Sequence, residues 1–66
     1  MKITVNDQPR EVVADTTLAE LLDEMGLQPK FVAVEVNLQV VPRQQHGQCT
    51  LQEGDRWEIV TLVGGG

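Results

Sequence analysis

Apolar and polar residues alternate along Lys2-Ile3-Thr4-Val5-Asn6, which puts Ile3 and Val5 on one face with the two-residue period of a half-buried strand. Asn6-Asp7-Gln8-Pro9 then supplies four turn-forming residues in a run, so a second short strand over residues 10–14 is expected to return as a hairpin. Val12 and Val13 are adjacent, and the alternation leaves open which of them points inward.

The period changes at Leu18. Leu18, Leu21, Leu22 and Met25 follow the i, i+3, i+4, i+7 spacing of one helix face. Thr17 and Glu20 fit a capping box, in which hydroxyl and carboxylate each satisfy a backbone N–H at the helix start. Gly26 suits the left-handed residue after the last turn, and Leu27 can pack back onto it. A helix of about nine residues is predicted.

Alternation returns over residues 31–38, with Val32, Val34 and Val36 on a core face and Phe31, Ala33 and Glu35 opposite. Residues 41–48 contain Pro, Gly and polar side chains and read as an irregular connection, with Leu51 as an anchor. Glu53-Gly54-Asp55 marks a turn. A last strand over 57–63 sets Trp57, Ile59 and Thr61 on one face and Glu58, Val60 and Leu62 on the other. The inward set is thus Ile3, Val5, Leu18, Leu21, Leu22, Val32, Val34, Val36, Trp57 and Ile59. Two strands, a helix and two further strands predict an α+β domain, a mixed sheet of four to five strands with one main helix on one face. That is the order of a β-grasp fold. Residues 1–63 form the domain in this reading, and 64–66 a flexible glycine tail.

A chain of 66 residues supports one small domain that buries only about 60% of its unfolded surface. This weighs against an enzyme with its own deep pocket and favours a carrier, adaptor or binding module. The net charge of -5 and the scattered Lys2, Arg10, Lys30, Arg43 and Arg56 speak against nucleic acid, which needs clustered cations. An acidic carrier would suit a basic docking face on a partner, although surplus carboxylates also serve solubility. Cys49 is the single cysteine, so no internal disulfide can form. No apolar run approaches a membrane span, and Met1-Lys2 leads into a strand pattern and not a signal peptide. A cytoplasmic protein, monomeric by itself and without membrane contact, is expected.

His46 and Cys49 lie three apart, and no other Cys or His exists to complete a zinc site. A Cys-His nucleophile would also need a pocket and an oxyanion hole. Both read as ordinary loop residues. Asp23-Glu24 falls on the solvent side of the helix, and Glu53 and Asp55 flank a turn, so neither pair reads as an acid/base site. No bound metal or cofactor is expected.

The tail carries more information. With glycine near 7% of average composition, Gly64-Gly65-Gly66 would end a chain by chance roughly once in 3,000. A solvated disordered end or a cloning scar would be the plain explanations. Against a scar, the glycines follow directly on a strand that reads as native. The chemical reading is that glycines without a β-carbon let an extended terminus enter a narrow channel in another protein. Gly64 and Gly65 would thread, exposing the α-carboxylate of Gly66, and the three residues would reach roughly 10 Å. A carboxylate is a poor electrophile, so a partner must activate it, most simply as an acyl-adenylate made from ATP.

The element order, Val41-Pro42-Arg43, Leu51 followed by Gly54-Asp55, and the ending Ile59-Val60-Thr61-Leu62-Val63-Gly64-Gly65-Gly66 together resemble the ubiquitin-like sulfur carrier family of thiamine (thiazole) biosynthesis. The likeness covers essentially the whole chain. It implies a protein that is not an enzyme but is acted on by partners. An adenylating enzyme related to ubiquitin-activating enzymes, using ATP and Mg, would convert Gly66 to an acyl-adenylate. A sulfur donor enzyme would turn that into a thiocarboxylate, and thiazole synthase would receive the sulfur. Val60 and Leu62, pointing away from the core beside the tail, are candidates for docking these partners, unless residues 41–50 cover them. His46, Gly47 and Cys49 match nothing functional in the family. The small subunit of molybdopterin synthase looks similar and uses the same terminal chemistry, though it is usually longer. A β-grasp interaction module without covalent chemistry is the competitor from another class.

Overall fold

The expected first hairpin forms, but two residues tighter than the turn signals suggest. In the computed structural model, which describes residues 1–62, β1 (Lys2–Val5) returns as β2 (Gln8–Glu11) through Asn6 and Asp7 alone. Both hold left-handed backbone, at φ 51° and 67°. Asn and Asp tolerate that region, and a turn of this hand matches the twist of the strands it joins. The second strand therefore lies at Gln8–Glu11 and not at 10–14, with Pro9 in an edge position opposite Thr4. The open register is decided: Val12 is buried, and Val13 is 78% exposed.

Helix α1 (Leu18–Glu24) has seven residues, two fewer than predicted, because its last turn winds directly into the cap. The capping box is complete: the Thr17 hydroxyl accepts from the Glu20 N–H at 3.2 Å, and Glu20 accepts from the Thr17 N–H at 2.9 Å. At the other end Gly26 stands at φ 73°, its N–H on the Asp23 carbonyl and the Leu27 N–H on the Leu22 carbonyl. This is the pair of bonds that a left-handed terminal glycine permits. Leu18, Leu21 and Leu22 are fully buried, each contributing about 1.5–3 kcal/mol by leaving water, while Met25 is half-buried against the same core.

Pro29–Phe31 forms a 3-10 turn, so β3 (Val32–Val36) starts one residue later than the alternation suggests. It also ends sooner, because Asn37 and Leu38, at φ 49° and 72°, make a second left-handed two-residue turn into β4 (Gln39–Val40), a strand the sequence did not announce. β5 (Arg56–Thr61) begins one residue before the predicted span. Val63, the predicted end of that strand, lies outside the described residues, as do Gly64, Gly65 and Gly66 and with them the boundary between domain and tail.

The five strands form one mixed sheet in the order β2-β1-β5-β3-β4, with β1 and β5 parallel and every other neighbour antiparallel. Ile3, Val5, Val34, Trp57 and Ile59 pack from its inner face against the helix leucines. Val36, expected fully inside, is only half-buried at the edge of this cluster. Residues 41–50 hold a 3-10 turn at Arg43–Gln45, and Thr17 and Thr50 form an isolated bridge between this segment and the helix start. Val41 and Leu51 anchor the segment in the core. Among the described residues no helix is long and apolar enough to cross a membrane. The α+β expectation, a β-grasp sheet of four to five strands with one helix, is met with five.

Candidate functional site

The outer face of the sheet extends to Leu62, the last described residue. Alternation along β5 turns Trp57 and Ile59 inward and leaves Val60 57% exposed, with Leu62 just past the strand at 49%. The irregular segment covers neither, which removes the alternative that residues 41–50 bury them. Cross-strand register adds neighbours: Ala33 lies opposite Val60, Glu35 opposite Glu58, and Val40 opposite Glu35. The Leu62 N–H donates to the Phe31 carbonyl at 2.7 Å, continuing the ladder up to the last described residue. Phe31 is exposed, with the Lys30 ammonium 5.1 Å from its ring centre. An exposed apolar surface thus runs along β3 and β5 toward residue 63.

Sequence reasoning reached Val60 and Leu62 but did not assemble the rest of this surface. The signal for Phe31, Ala33 and Glu35 was present as the opposite phase of the β3 alternation. Val40 could not be found that way, since its strand depends on a turn at Asn37-Leu38 that lacks the usual glycine.

The turn before β5 explains why Gly54-Asp55 belongs to the motif. Gly54 sits at φ 83°, a conformation glycine adopts without a β-carbon clash. Asp55 is buried, not merely a turn flank. Its carboxylate accepts from the Gln52 N–H at 2.8 Å and from Asn37 Nδ2 at 3.3 Å, and its carbonyl accepts from the Thr4 N–H. The Asn37 side-chain oxygen also accepts from the Arg56 N–H at 3.0 Å. Asp55 therefore sets where β5 begins and in which register.

His46 proves to be more than an ordinary loop residue. It is 4% exposed, Nε2 lies 3.2 Å from the Val41 carbonyl, and its own carbonyl accepts the Ala19 N–H. Its role is to tie the 41–50 segment to the helix. Cys49 is half-buried beside a shallow hollow of about 280 Å³ lined by Gln45 and Gln48. Burial pushes its thiol pKa up, and the Asp55 carboxylate adds to that. A thiol that holds its proton is a weak nucleophile. Among the described residues no group of three His, Cys, Asp or Glu side chains is placed to hold a metal ion.

The chain matches the ThiS family over residues 3–66. It is 35% identical to the sulfur carrier protein ThiS of Escherichia coli over 66 residues, covering 100% of both chains. A thiazole synthase of Paramagnetospirillum magneticum is 41% identical over the whole chain, and one of Magnetococcus marinus is 47% identical. This chain spans 20% of the length of each of those two proteins. In structure it superposes on the thiamine biosynthesis protein ThiS of Geobacter metallireducens with a TM-score of 0.85, at 33% identity and with complete coverage of both chains. The sheet order, the capped helix and the continuous match through Gly66 agree on one assignment: the chain belongs to the ThiS family, with that family's ubiquitin-like β-grasp fold.

Proposed function

We propose that this protein is a sulfur carrier of thiamine biosynthesis, working as a co-substrate of partner enzymes and not as an enzyme itself. The observation that carries the reading is the end-to-end match to a sulfur carrier protein, Gly64-Gly65-Gly66 included, on a domain whose outer face stays exposed at Val60 and Leu62.

In this reading a carboxylate oxygen of Gly66 attacks the α-phosphorus of ATP in an adenylating partner, and pyrophosphate leaves. Magnesium and cationic groups of the partner offset the charge of the two approaching anions. Sulfide-level sulfur supplied by a donor enzyme then attacks the acyl carbon, the acyl–phosphate bond breaks, AMP departs, and loss of the S–H proton leaves a thiocarboxylate. That group is a better nucleophile than the carboxylate and stays ionised at neutral pH. Thiazole synthase is the acceptor this reading names, supported by the relatives in which a segment like this chain is part of a thiazole synthase. Cys49 is a poor rival as the sulfur-bearing atom, since its raised pKa keeps it protonated at neutral pH.

The test is intact mass after incubation with ATP, magnesium, an adenylating partner and a sulfur donor. Exchange of one oxygen for sulfur adds about 16 Da, as a covalent carrier of this kind requires. An unchanged mass with partners active on another carrier overturns the proposal.

A further inference from the structure

Glu35 and Glu58 stand directly opposite each other in the β3–β5 ladder, both half-buried, with Ala33 and Val60 as the next pair toward the tail and Val40 beside Glu35 on the other flank. Directly opposed like charges weaken a sheet. Among the described residues no cation forms an ion pair with either carboxylate: Arg56, two residues before Glu58, is held by Asp7 at 2.8 Å, and Arg10 is turned to Glu24 on the helix side. The fold thus keeps a carboxylate pair with no ion-pair partner among the described residues on an uncovered face, with Ala33, Val60 and Val40 as apolar neighbours and Arg56, held by Asp7, on the flank away from Val60.

We infer that this face docks thiazole synthase through a patch in which an arginine or lysine, surrounded by apolar side chains, enters between Glu35 and Glu58. The inference rests on the sulfur-carrier reading and adds the contact and its chemistry. Charge complementarity asks for a cation, because only a positive group relieves both carboxylates at once, and the apolar rim excludes the water that would screen it. Continuity argues for the enzyme that receives the tail. Glu35 on β3 faces Glu58 on β5, and Leu62, just past that strand, is four residues from Gly66 in sequence, so a protein that takes Gly66 works within about 14 Å of Leu62. Thiazole synthase is chosen over other tail-binding partners because a segment matching the entire chain forms part of thiazole synthases, which keeps the two in one polypeptide there.

The pair has an unusual double signature. Removing the charges should strengthen the isolated domain and weaken the complex. Calorimetric titration of the full chain into the cognate thiazole synthase, at low and at physiological salt, is compared for Glu35→Gln, Glu58→Gln and the double variant. Asp23→Asn, which removes one charge from the exposed helix surface, is the control. The double variant is expected to lose at least tenfold in affinity, to show a flatter salt dependence and to melt a few degrees higher, with the control unchanged in affinity. A higher melting temperature with unaltered affinity overturns the inference, as does absence of binding by the wild-type chain. If the variants instead lose adenylation while keeping synthase affinity, the face belongs to the adenylating enzyme. If they lose only self-association in sedimentation, it belongs to a second copy. Both results reject the occupant named here. Thiocarboxylate formation on the same proteins is read by mass, so a failure of the sulfur-carrier reading is seen separately.

Discussion

Asn6 completes with its side chain the ladder that its own turn interrupts: Nδ2 donates to the Ile59 carbonyl at 3.0 Å, and Oδ1 accepts the Ile59 N–H at 2.8 Å. The carboxamide imitates a backbone unit of β1 just where the chain reverses into β2. The first hairpin is thereby fastened to the central strand, which also carries the exposed Val60.

Asn6→Ala should therefore cost about 2 kcal/mol or more, from two lost hydrogen bonds and a β-carbon residue less suited to φ 51°. Asn6→Gly loses the bonds but fits the backbone, so urea denaturation of both variants separates the two effects. A glycine variant more stable than wild type would show the two bonds to be worth less than the backbone strain that glycine relieves.

Leu38 makes the opposite case. It is 88% exposed and stands at φ 72° in the second turn, so its side chain gains little burial for the strained backbone. Leu38→Gly should stabilise the domain by about 0.5–1 kcal/mol, measured as a higher denaturation midpoint. A fall in stability would mean that Leu38 packs on its neighbours in solution.

Val60→Asp and Leu62→Asp place a charge on the outer face without touching the core. Each should leave the melting temperature within a few degrees of wild type and weaken partner binding at least tenfold. Unfolding by either change would contradict the exposed placement of these residues.

The tail prediction concerns one atom group. Deleting Gly66, or appending one residue after it, should abolish the gain of about 16 Da without altering the melting temperature, because every residue of the core cluster is kept. Gly65→Val should slow the gain by obstructing a channel shaped for bare backbone. If the extended protein still gains the mass, the sulfur sits elsewhere.

Cys49 supplies a pH test. Burial and Asp55 raise its pKa, so the folded protein holds the thiol proton more tightly than the unfolded chain does. Alkylation of native protein by iodoacetamide should be slower at pH 7 than in denaturant, and should accelerate only above the ordinary thiol range. By the same sign, the stability this proton contributes is present below the unfolded pKa and lost as pH rises through the folded one. An alkylation rate at pH 7 equal in native and denatured protein would refute the shift.

Local periodicity and caps were sufficient for the helix from Thr17 to Gly26, for the inward residues Ile3, Val34, Trp57 and Ile59, and for the exposure of Val60 and Leu62, because each depends on neighbours within a turn or a strand. The family likeness carried by Val41-Pro42-Arg43, Gly54-Asp55 and the terminal residues was legible in the same way. Tertiary structure alone decided what depends on residues distant in sequence. Val12 rather than Val13 turns inward because its N–H meets the Met1 carbonyl, and β4 exists because Asn37 is tied to Asp55 and Arg56 some 18 or 19 residues away. His46 is buried in a segment tied to the helix by the Ala19 N–H on its carbonyl, and the opposition of Glu35 and Glu58 arises only when two strands choose a register. Alternation states which face a residue takes; the pairing of strands decides what it stands against.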